Sequence, residues 1–420
     1  MMVPKNMTNK KIGILGLGIS GSSALKSLEA GGSEVFVYDD NDKSSHIKTN
    51  LMKWPWKELD QIIVSPGISM EHPIIAKAKK LNIQINNEID IFAKSEPKAK
   101  VIGVTGTNGK STTSTLLGHI IKFHGYKVQV GGNIGKAATS LEDPGIKGYI
   151  ILELSSFQLE TCSYLKLDGA VILNITPDHI EWHGNLKNYY NAKIKISSLL
   201  KKNAPLVISS NDNLSKKASE ILNKSNNVLR LDDNDRKKTD LFKDSIHHQE
   251  NIMGSIKLLS SLGMPENKSL LAINTFKGLP HRMEVISKKD KITFINDSKA
   301  TNAEAVSKAL GFFKNIFWIA GGLGKSNGIK GTLGHLKNVK KCYLFGESKN
   351  DFFNELSPKL NCAIFETMEK ALRAVFNETL KSEEEITVLF SPGASSFDQF
   401  KNFEDRGNKF KELTFKIWSI

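Results

Sequence analysis

Short runs of β-branched and other apolar residues recur along this chain. Each is followed by a longer stretch with helical spacing, and this alternation constrains the fold more than any other feature. The runs fall at 12–15, 34–38, 61–64, 101–104, 149–152, 170–173, 206–209, 293–295, 316–319, 342–345 and 387–390. Strands that alternate with helices form βαβ units, so the pattern predicts an α/β fold with mostly parallel sheets. A length of 420 residues exceeds a single core and predicts about two to three domains. Helix-breaking stretches at Ser95-Glu96-Pro97-Lys98 and Gly278-Leu279-Pro280 divide the chain into blocks 1–96, 97–280 and 281–420. The outer two blocks are expected to be Rossmann-like. The middle one is expected to be an ATPase-like domain built around a phosphate loop.

That loop is Thr105-Gly106-Thr107-Asn108-Gly109-Lys110-Ser111-Thr112-Thr113. It follows the run at 101–104 and precedes a helical stretch, the context a phosphate cradle requires. Loop N–H groups and the helix N-terminus face phosphate oxygens, Lys110 adds positive charge, and the Ser111 hydroxyl can reach Mg²⁺. The spacing departs from G-x-x-x-x-G-K-[ST], because Val104 stands where that pattern has its first glycine.

A second glycine loop, Gly16-Leu17-Gly18-Ile19-Ser20-Gly21, follows the run at 12–15 and matches G-x-G-x-x-G. Asp39 closes the next run, near where a dinucleotide fold places its ribose-binding acid. Read alone, this loop fits a nicotinamide or flavin cofactor, another nucleotide, or a structural turn.

Carboxylates and histidines follow. Glu153 closes the run at 149–152, at the strand end where α/β sheets bind ligands. Beside a phosphate loop it is a natural Mg²⁺ ligand. His179 and His183 stand four apart in Asp178-His179-Ile180-Glu181-Trp182-His183. This is not H-E-x-x-H, and no cysteine is near, so a zinc pair is disfavoured. His179 is the better site candidate, and His183 reads as surface or packing. Lys193, taken alone, is one more helix lysine.

The net charge of +14 comes from 58 Lys and Arg against 44 Asp and Glu. No tight basic run interleaves with aromatics, so a solvated basic surface is expected and nucleic-acid binding is not. The three cysteines, Cys162, Cys342 and Cys362, form neither a C-x-x-C pair nor a disulfide framework and suit a reducing compartment. Residues 1–11 are polar, and no apolar run approaches the ~18–20 residues of a membrane span. A cytoplasmic protein without membrane insertion is expected.

With these motifs in place, the chain resembles the Mur ligase family, ATP-dependent amide ligases of cell-wall precursor synthesis. The resemblance spans essentially the whole chain. Thr105 to Thr113 looks like that family's phosphate loop, which accounts for Val104. Glu153 in Glu153-Leu154-Ser155-Ser156-Phe157-Gln158 looks like its Mg²⁺ acid, Asp178-His179 like its Asp-His pair, and Lys193 like its carbamylated lysine. Asn296-Asp297-Ser298-Lys299-Ala300-Thr301-Asn302 and the long segment from Ser391 to Gly407 are similar to members that add D-glutamate to UDP-N-acetylmuramoyl-L-alanine.

The resemblance implies Lys110, His179 and Lys193 as catalytic residues. It implies ATP on Gly106, Thr107, Asn108, Gly109, Lys110, Ser111 and Thr112, with Asn251, Arg282 and Asp297. Mg²⁺, at two sites, would take Ser111, Glu153, His179 and carbamylated Lys193. The UDP-precursor would meet Gly18, Ile19, Ser20, Asp39, Ser65, Asn133 and Ser155. D-glutamate would meet Thr301, Lys325, Ser396, Phe397 and Phe403. A monomer is expected. Two positions depart from the family: His247-His248 replaces its usual His-Asn, and Leu323 replaces an Asp common before Gly-Lys. A folylpolyglutamate synthetase would share the central loop but lack the first block and both C-terminal segments. An NAD-dependent oxidoreductase would leave Lys110, Glu153 and Lys193 unexplained.

Overall fold

The structure, a computed structural model, describes residues 1–40, 54–209, 212–223, 227–231, 234–235, 237, 249–324, 328–380 and 382–419. Its strands form three sheets, and almost every pairing is parallel. The first sheet comprises β1 (Lys11–Leu15), β2 (Glu34–Tyr38), β3 (Gln61–Val64) and β4 (Gln84–Asn86), in the order β2-β1-β3-β4. The second comprises β5 (Lys100–Thr105), β6 (Val128–Gly132), β7 (Tyr149–Glu153), β8 (Gly169–Ile172), β9 (Pro205–Ile208) and β10 (Asn227–Arg230), in the order β10-β9-β8-β5-β7-β6. The third comprises β11 (Glu284–Lys289), β12 (Ile292–Asn296), β13 (Ile316–Gly321), β14 (Val339–Phe345), β15 (Cys362–Ile364) and β16 (Ile386–Phe390). Its order is β11-β12-β16-β13-β14-β15, and β11 alone runs antiparallel to its neighbour.

Why the central strands are mostly apolar follows from what covers them. Side chains alternate across a strand, so a strand covered on both faces needs apolar residues at every position. On β7, Ile150 and Leu152 enter one core while Tyr149 and Ile151 enter the other. On β8 and just past it, Ala170 and Ile172 enter one core while Val171 and Leu173 enter the other. The third sheet repeats the arrangement, with Leu389 on one side and Val388 and Phe390 on the other.

Two compact units result, Met1–Phe276 and Lys277–Ile420. The first holds two sheets, joined by the helix Glu88–Lys94. Its Ile91 packs in the core of the first sheet, whereas Ile89 and Phe92 pack in that of the second. The seam is polar as well. The buried Glu88 carboxylate accepts the Thr139 hydroxyl at 2.7 Å, and Thr139 Oγ1 lies 2.6 Å from Ser23 Oγ. Asp90 on the same helix accepts the N–H groups of Ser163 and Tyr164, each at 2.8 Å. In the second unit, Cys342 and Cys362 face each other in the parallel pairing of β14 with β15, and both are free thiols.

Candidate active site

The phosphate loop leaves β5 at Thr105 and enters the helix Lys110–Phe123. Gly109, at φ +85°, caps that helix in the left-handed region, where a side chain is strained. A Cβ there would also lie 2.5 Å from Asn251 Oδ1, so the helix Gln249–Ser261 presses on the loop. From the other side the loop is held by residues that follow β8. The Asn174 carboxamide brackets Asn108, accepting its N–H at 2.8 Å and donating to its carbonyl at 3.0 Å. Thr107 Oγ1 donates to the Thr176 carbonyl at 3.0 Å and lies 2.8 Å from the Tyr189 hydroxyl. Sequence reasoning singled out none of Asn174, Thr176 and Tyr189. Their one signal is that the first two stand just past a strand end beside the loop's own strand.

Two lysines converge on one acceptor. Lys110 Nζ donates to the carbonyls of Gly106 (2.8 Å) and Thr107 (2.9 Å), and Lys193 Nζ donates to the same Gly106 carbonyl at 2.7 Å. Lys193 is 1% exposed. Burial, then the Lys110 charge, pushes its amine well below the usual lysine range, while Asp178 and Glu153 pull the other way. Lys110, Glu153, Asp178 and Lys193 therefore share one electrostatic neighbourhood.

Glu153 ends β7 with its backbone paired to Val104 of β5 on one side and Gly132 of β6 on the other. Its Oε1 accepts the Asn133 amide at 2.9 Å, and its Oε2 is buried with no hydrogen-bond partner among the described residues. A buried carboxylate oxygen without a donor is costly unless a cation meets it. Among the described residues no three His, Cys, Asp or Glu side chains gather to hold a metal ion. Mg²⁺ does not need them, since it keeps waters and takes phosphate oxygens beside one or two carboxylates. The residues present fit that ion.

His179 sits at φ +52° ahead of the short helix Ile180–His183. Its Nε2 is 3.5 Å from the Asp178 carboxylate, its side chain is 40% exposed, and its ring meets the Phe157 edge. His183 is instead buried. It stacks on Phe157 and bonds Ser156 Oγ through Nε2 at 3.0 Å, and burial lowers its pKa. It is a packing residue, not a surface one.

The residues expected to meet the UDP-precursor fall into two groups. Gly18, Ile19 and Ser20 open the helix Ile19–Ala30 after β1, with Ile19 75% exposed. Asp39 Oδ2 accepts the Leu17 N–H at 2.6 Å, and Ser65 Oγ donates to the Gly16 carbonyl at 2.8 Å, so both brace the loop. Asn133 and Ser155 stand on the second sheet. Asn133 is turned to Glu153, and Ser155 caps the helix Ser156–Thr161 in a reciprocal box with Gln158. A cleft between the two sheets is lined by Ser65, Met70 and Asn87 on one side and Phe157, Gln158 and Trp182 on the other.

Asn251 belongs to the first unit, Arg282 and Asp297 to the second. Asp297 is buried, accepting the Ser391 hydroxyl at 2.8 Å and the Met283 N–H at 3.1 Å. Burial pushes its carboxyl up to about 7 against those bonds and the Arg282 charge. Thr301 lies in the loop after β12, and Ser396 and Phe397 in the loop after β16. Ser396 is buried, Phe397 is 70% exposed, and Phe403 opens the helix Phe403–Trp418 beneath the Lys299 ammonium. Lys325, His247 and His248 lie outside the described residues.

A glycine loop between a parallel strand and a helix, with a bare carboxylate oxygen on the neighbouring strand end, defines the phosphate-loop nucleotide-binding class. Three family models narrow it. They are Mur ligase MurD-like, N-terminal domain (residues 10–87), Mur ligase middle domain (104–270) and Mur ligase, glutamate ligase domain (281–393). The UDP-N-acetylmuramoylalanine–D-glutamate ligase of Wolbachia pipientis is 33% identical, covering 96% of each chain. That of Rickettsia prowazekii is 34% identical over 97% of this chain and 98% of its own. The chain belongs to the Mur ligase family. Its fold is shared by the MurF ligase of Thermotoga maritima, solved in complex with ADP, with a TM-score of 0.61 at 17% identity, covering 100% of this chain and 98% of that one.

Proposed function

We propose that this chain is an ATP-dependent ligase that joins D-glutamate to UDP-N-acetylmuramoyl-L-alanine in peptidoglycan precursor synthesis. The end-to-end likeness to ligases named for that reaction carries the reading. The convergence of Lys110 and Lys193 on the phosphate loop, with the Glu153 charge beside them, supports its chemistry.

A carboxylate is a poor electrophile, so one of its oxygens must become a leaving group. In this reading the L-alanine carboxylate attacks the γ-phosphoryl group of ATP, giving an acyl phosphate and ADP. The D-glutamate amine then attacks the acyl carbon, phosphate leaves, and the amine sheds a proton. The first step brings two anions together. Lys110 and the loop N–H groups offset that repulsion where the charge develops. Ser111 and Glu153 would hold one Mg²⁺, and His179 with carbamylated Lys193 a second. The bound ions supply neutralisation of phosphate and carboxylate charge. Burial supports the carbamate, because an amine held uncharged is the form that adds to CO₂, losing a proton as the carbamate forms. His179 is the candidate base for the amine proton.

Block 97–280 then carries ATP, block 1–96 the UDP-moiety, and block 281–420 D-glutamate, the last through Thr301, Lys325, Ser396, Phe397 and Phe403. Asn251, Arg282 and Asp297 would complete the nucleotide site. We place the enzyme in the cytoplasm as a monomer. No described helix is long and apolar enough to cross a membrane, which fits that placement.

A coupled phosphate-release assay tests the reading. Release should require ATP, Mg²⁺, UDP-N-acetylmuramoyl-L-alanine and D-glutamate together. Release that ignores D-glutamate, or turnover with a folate substrate, would sink it.

A further inference from the structure

In the second unit three adjacent strands, β12, β16 and β13, end side by side. Their following loops begin at Asp297, Ser391 and Gly322, and in a parallel sheet that edge is where ligands bind. One side chain reaches all three loops. Arg406, on the helix Phe403–Trp418, is 0% exposed. Its Nε donates to Ser298 Oγ at 3.1 Å and its Nη2 to the Ser298 carbonyl at 2.8 Å. Its Nη1 donates to the carbonyls of Ala394 at 3.0 Å and Ser395 at 3.1 Å. The third loop passes as close, since a Cβ on Gly322 would stand 2.9 Å from Nη1. Leu323 and Ser395 exchange N–H to carbonyl bonds at 2.9 Å, locking that loop to the one after β16.

Among the described residues every acceptor of this guanidinium is neutral. Asp398 is the one carboxylate whose charge favours it, and no ion pair forms between them among the described residues. Burying a cation against neutral groups is expensive, and an apolar residue of similar volume would fill the space at less cost. A guanidinium earns its place here through two properties an apolar residue lacks: a planar fork that sets several carbonyls in fixed relation, and a charge of permanent sign.

We propose that Arg406 is a positioning residue for D-glutamate. It fixes the three strand-end loops relative to one another and gives that edge the positive potential an anionic amino acid requires. The proposal rests on the D-glutamate reading above. Arg406 itself need not touch the substrate.

The test uses the full chain with Arg406→Lys, which keeps charge and loses the fork, and Arg406→Gln, which loses charge. Phosphate release is measured against each substrate in turn. Hydroxylamine trapping of the acyl phosphate without D-glutamate reports the first step alone. The KM for D-glutamate should rise about tenfold in Arg406→Lys and further in Arg406→Gln, the scale of a lost charged hydrogen bond. The KM values for ATP and the UDP-precursor, and hydroxamate formation, should stay within about twofold, well under 1 kcal/mol. An unchanged KM for D-glutamate in a folded variant overturns the proposal. So does a uniform loss across all three substrates with a lowered melting temperature, the mark of a residue that only holds the core. If neither variant folds, Ser298→Ala, which removes one acceptor of the fork, should raise the KM for D-glutamate selectively, and no change there overturns the proposal too. A wild-type chain indifferent to D-glutamate overturns the reading as well, whereas a responsive wild type with unresponsive variants overturns the proposal alone.

Discussion

At the scale of single residues, Lys193 shows most clearly what the site costs. Its amine is buried, makes one hydrogen bond to a carbonyl shared with Lys110, and is held below the ordinary lysine range by burial. Replacing it with Met removes a buried polar group and keeps the volume. Lys193→Met should therefore melt at the wild-type temperature or above it, while phosphate release falls by about 100-fold or more, the scale of a lost electrostatic contact at a reacting centre. A parallel thermal melt and kinetic assay checks both halves, and a variant that loses stability along with activity would make the lysine structural. Lys110 and Lys193 also mark how far the placement of candidate residues was legible. Lys110 announces itself through the glycines around it, because the loop is local in sequence. Lys193 carries no local signal. Its surroundings are made by Tyr189, the Asp178 charge and a loop 87 positions away, and only likeness to a family pointed to it. Tyr189 and Asn174, which hold the loop, went unnoticed for the same reason.

Among the elements, the two glycine loops part company. Gly109 is demanded by the backbone, at φ +85° with Asn251 against it. Gly109→Ala should cost about 1–2 kcal/mol of stability from the left-handed backbone alone, read as a lower denaturation midpoint. Gly18 has φ −62°, and nothing lies within 4 Å of its would-be Cβ. On the proposed reading, Gly18→Ala should leave the melting temperature unchanged yet raise the KM for the UDP-precursor by about tenfold, because the added methyl would take space the proposed ligand needs. If Gly18→Ala melts early with its KM intact, the glycine serves the fold instead. The strands were legible in an equally physical way. Every predicted run is a strand, and each central strand among them is buried on both faces. The strands that periodicity passed over, β4, β6, β10, β11 and β15, each occupy a sheet edge. An edge strand is half-covered and has no need of a continuous apolar run, so its sequence resembles a loop. Of the edge strands only β2 was found, because its run Val35-Phe36-Val37-Tyr38 is β-branched and aromatic, although the structure buries it only at alternate positions.

For the molecule as a whole, each of the two units buries one carboxyl raised to about 7, Glu88 in the first and Asp297 in the second. Burial is the leading cause in both. The unfolded chain sheds these protons in the ordinary carboxylate range, and the folded chain keeps them up to about 7. Stability from these groups is therefore full below that range, falls as pH rises through it, and is level above about 7. For Glu88 the window corresponds to a loss on the order of 3 kcal/mol. Glu88→Gln and Asp297→Asn should gain on the wild type as pH is raised from about 5 to about 8. Melting curves across that range check it, and a constant gap between wild type and variant would show that the acids ionise normally. The Glu88 effect belongs to the seam between the first two sheets, since its partner is Thr139 across it.

The edge strands carry one more consequence. Strand edges recruit other strands, and proteins blunt them with brevity, charge and bulges. β4 and β15 are three residues long, β10 ends in Arg230, β6 ends in paired glycines, and β11 has a register break and closes on Lys288 and Lys289. The features that hide these strands from a reader of hydrophobic pattern are those that disfavour edge-to-edge pairing. At five of the six edges of the described sheets, what makes a strand hard to read is also what lowers its tendency to pair with another chain.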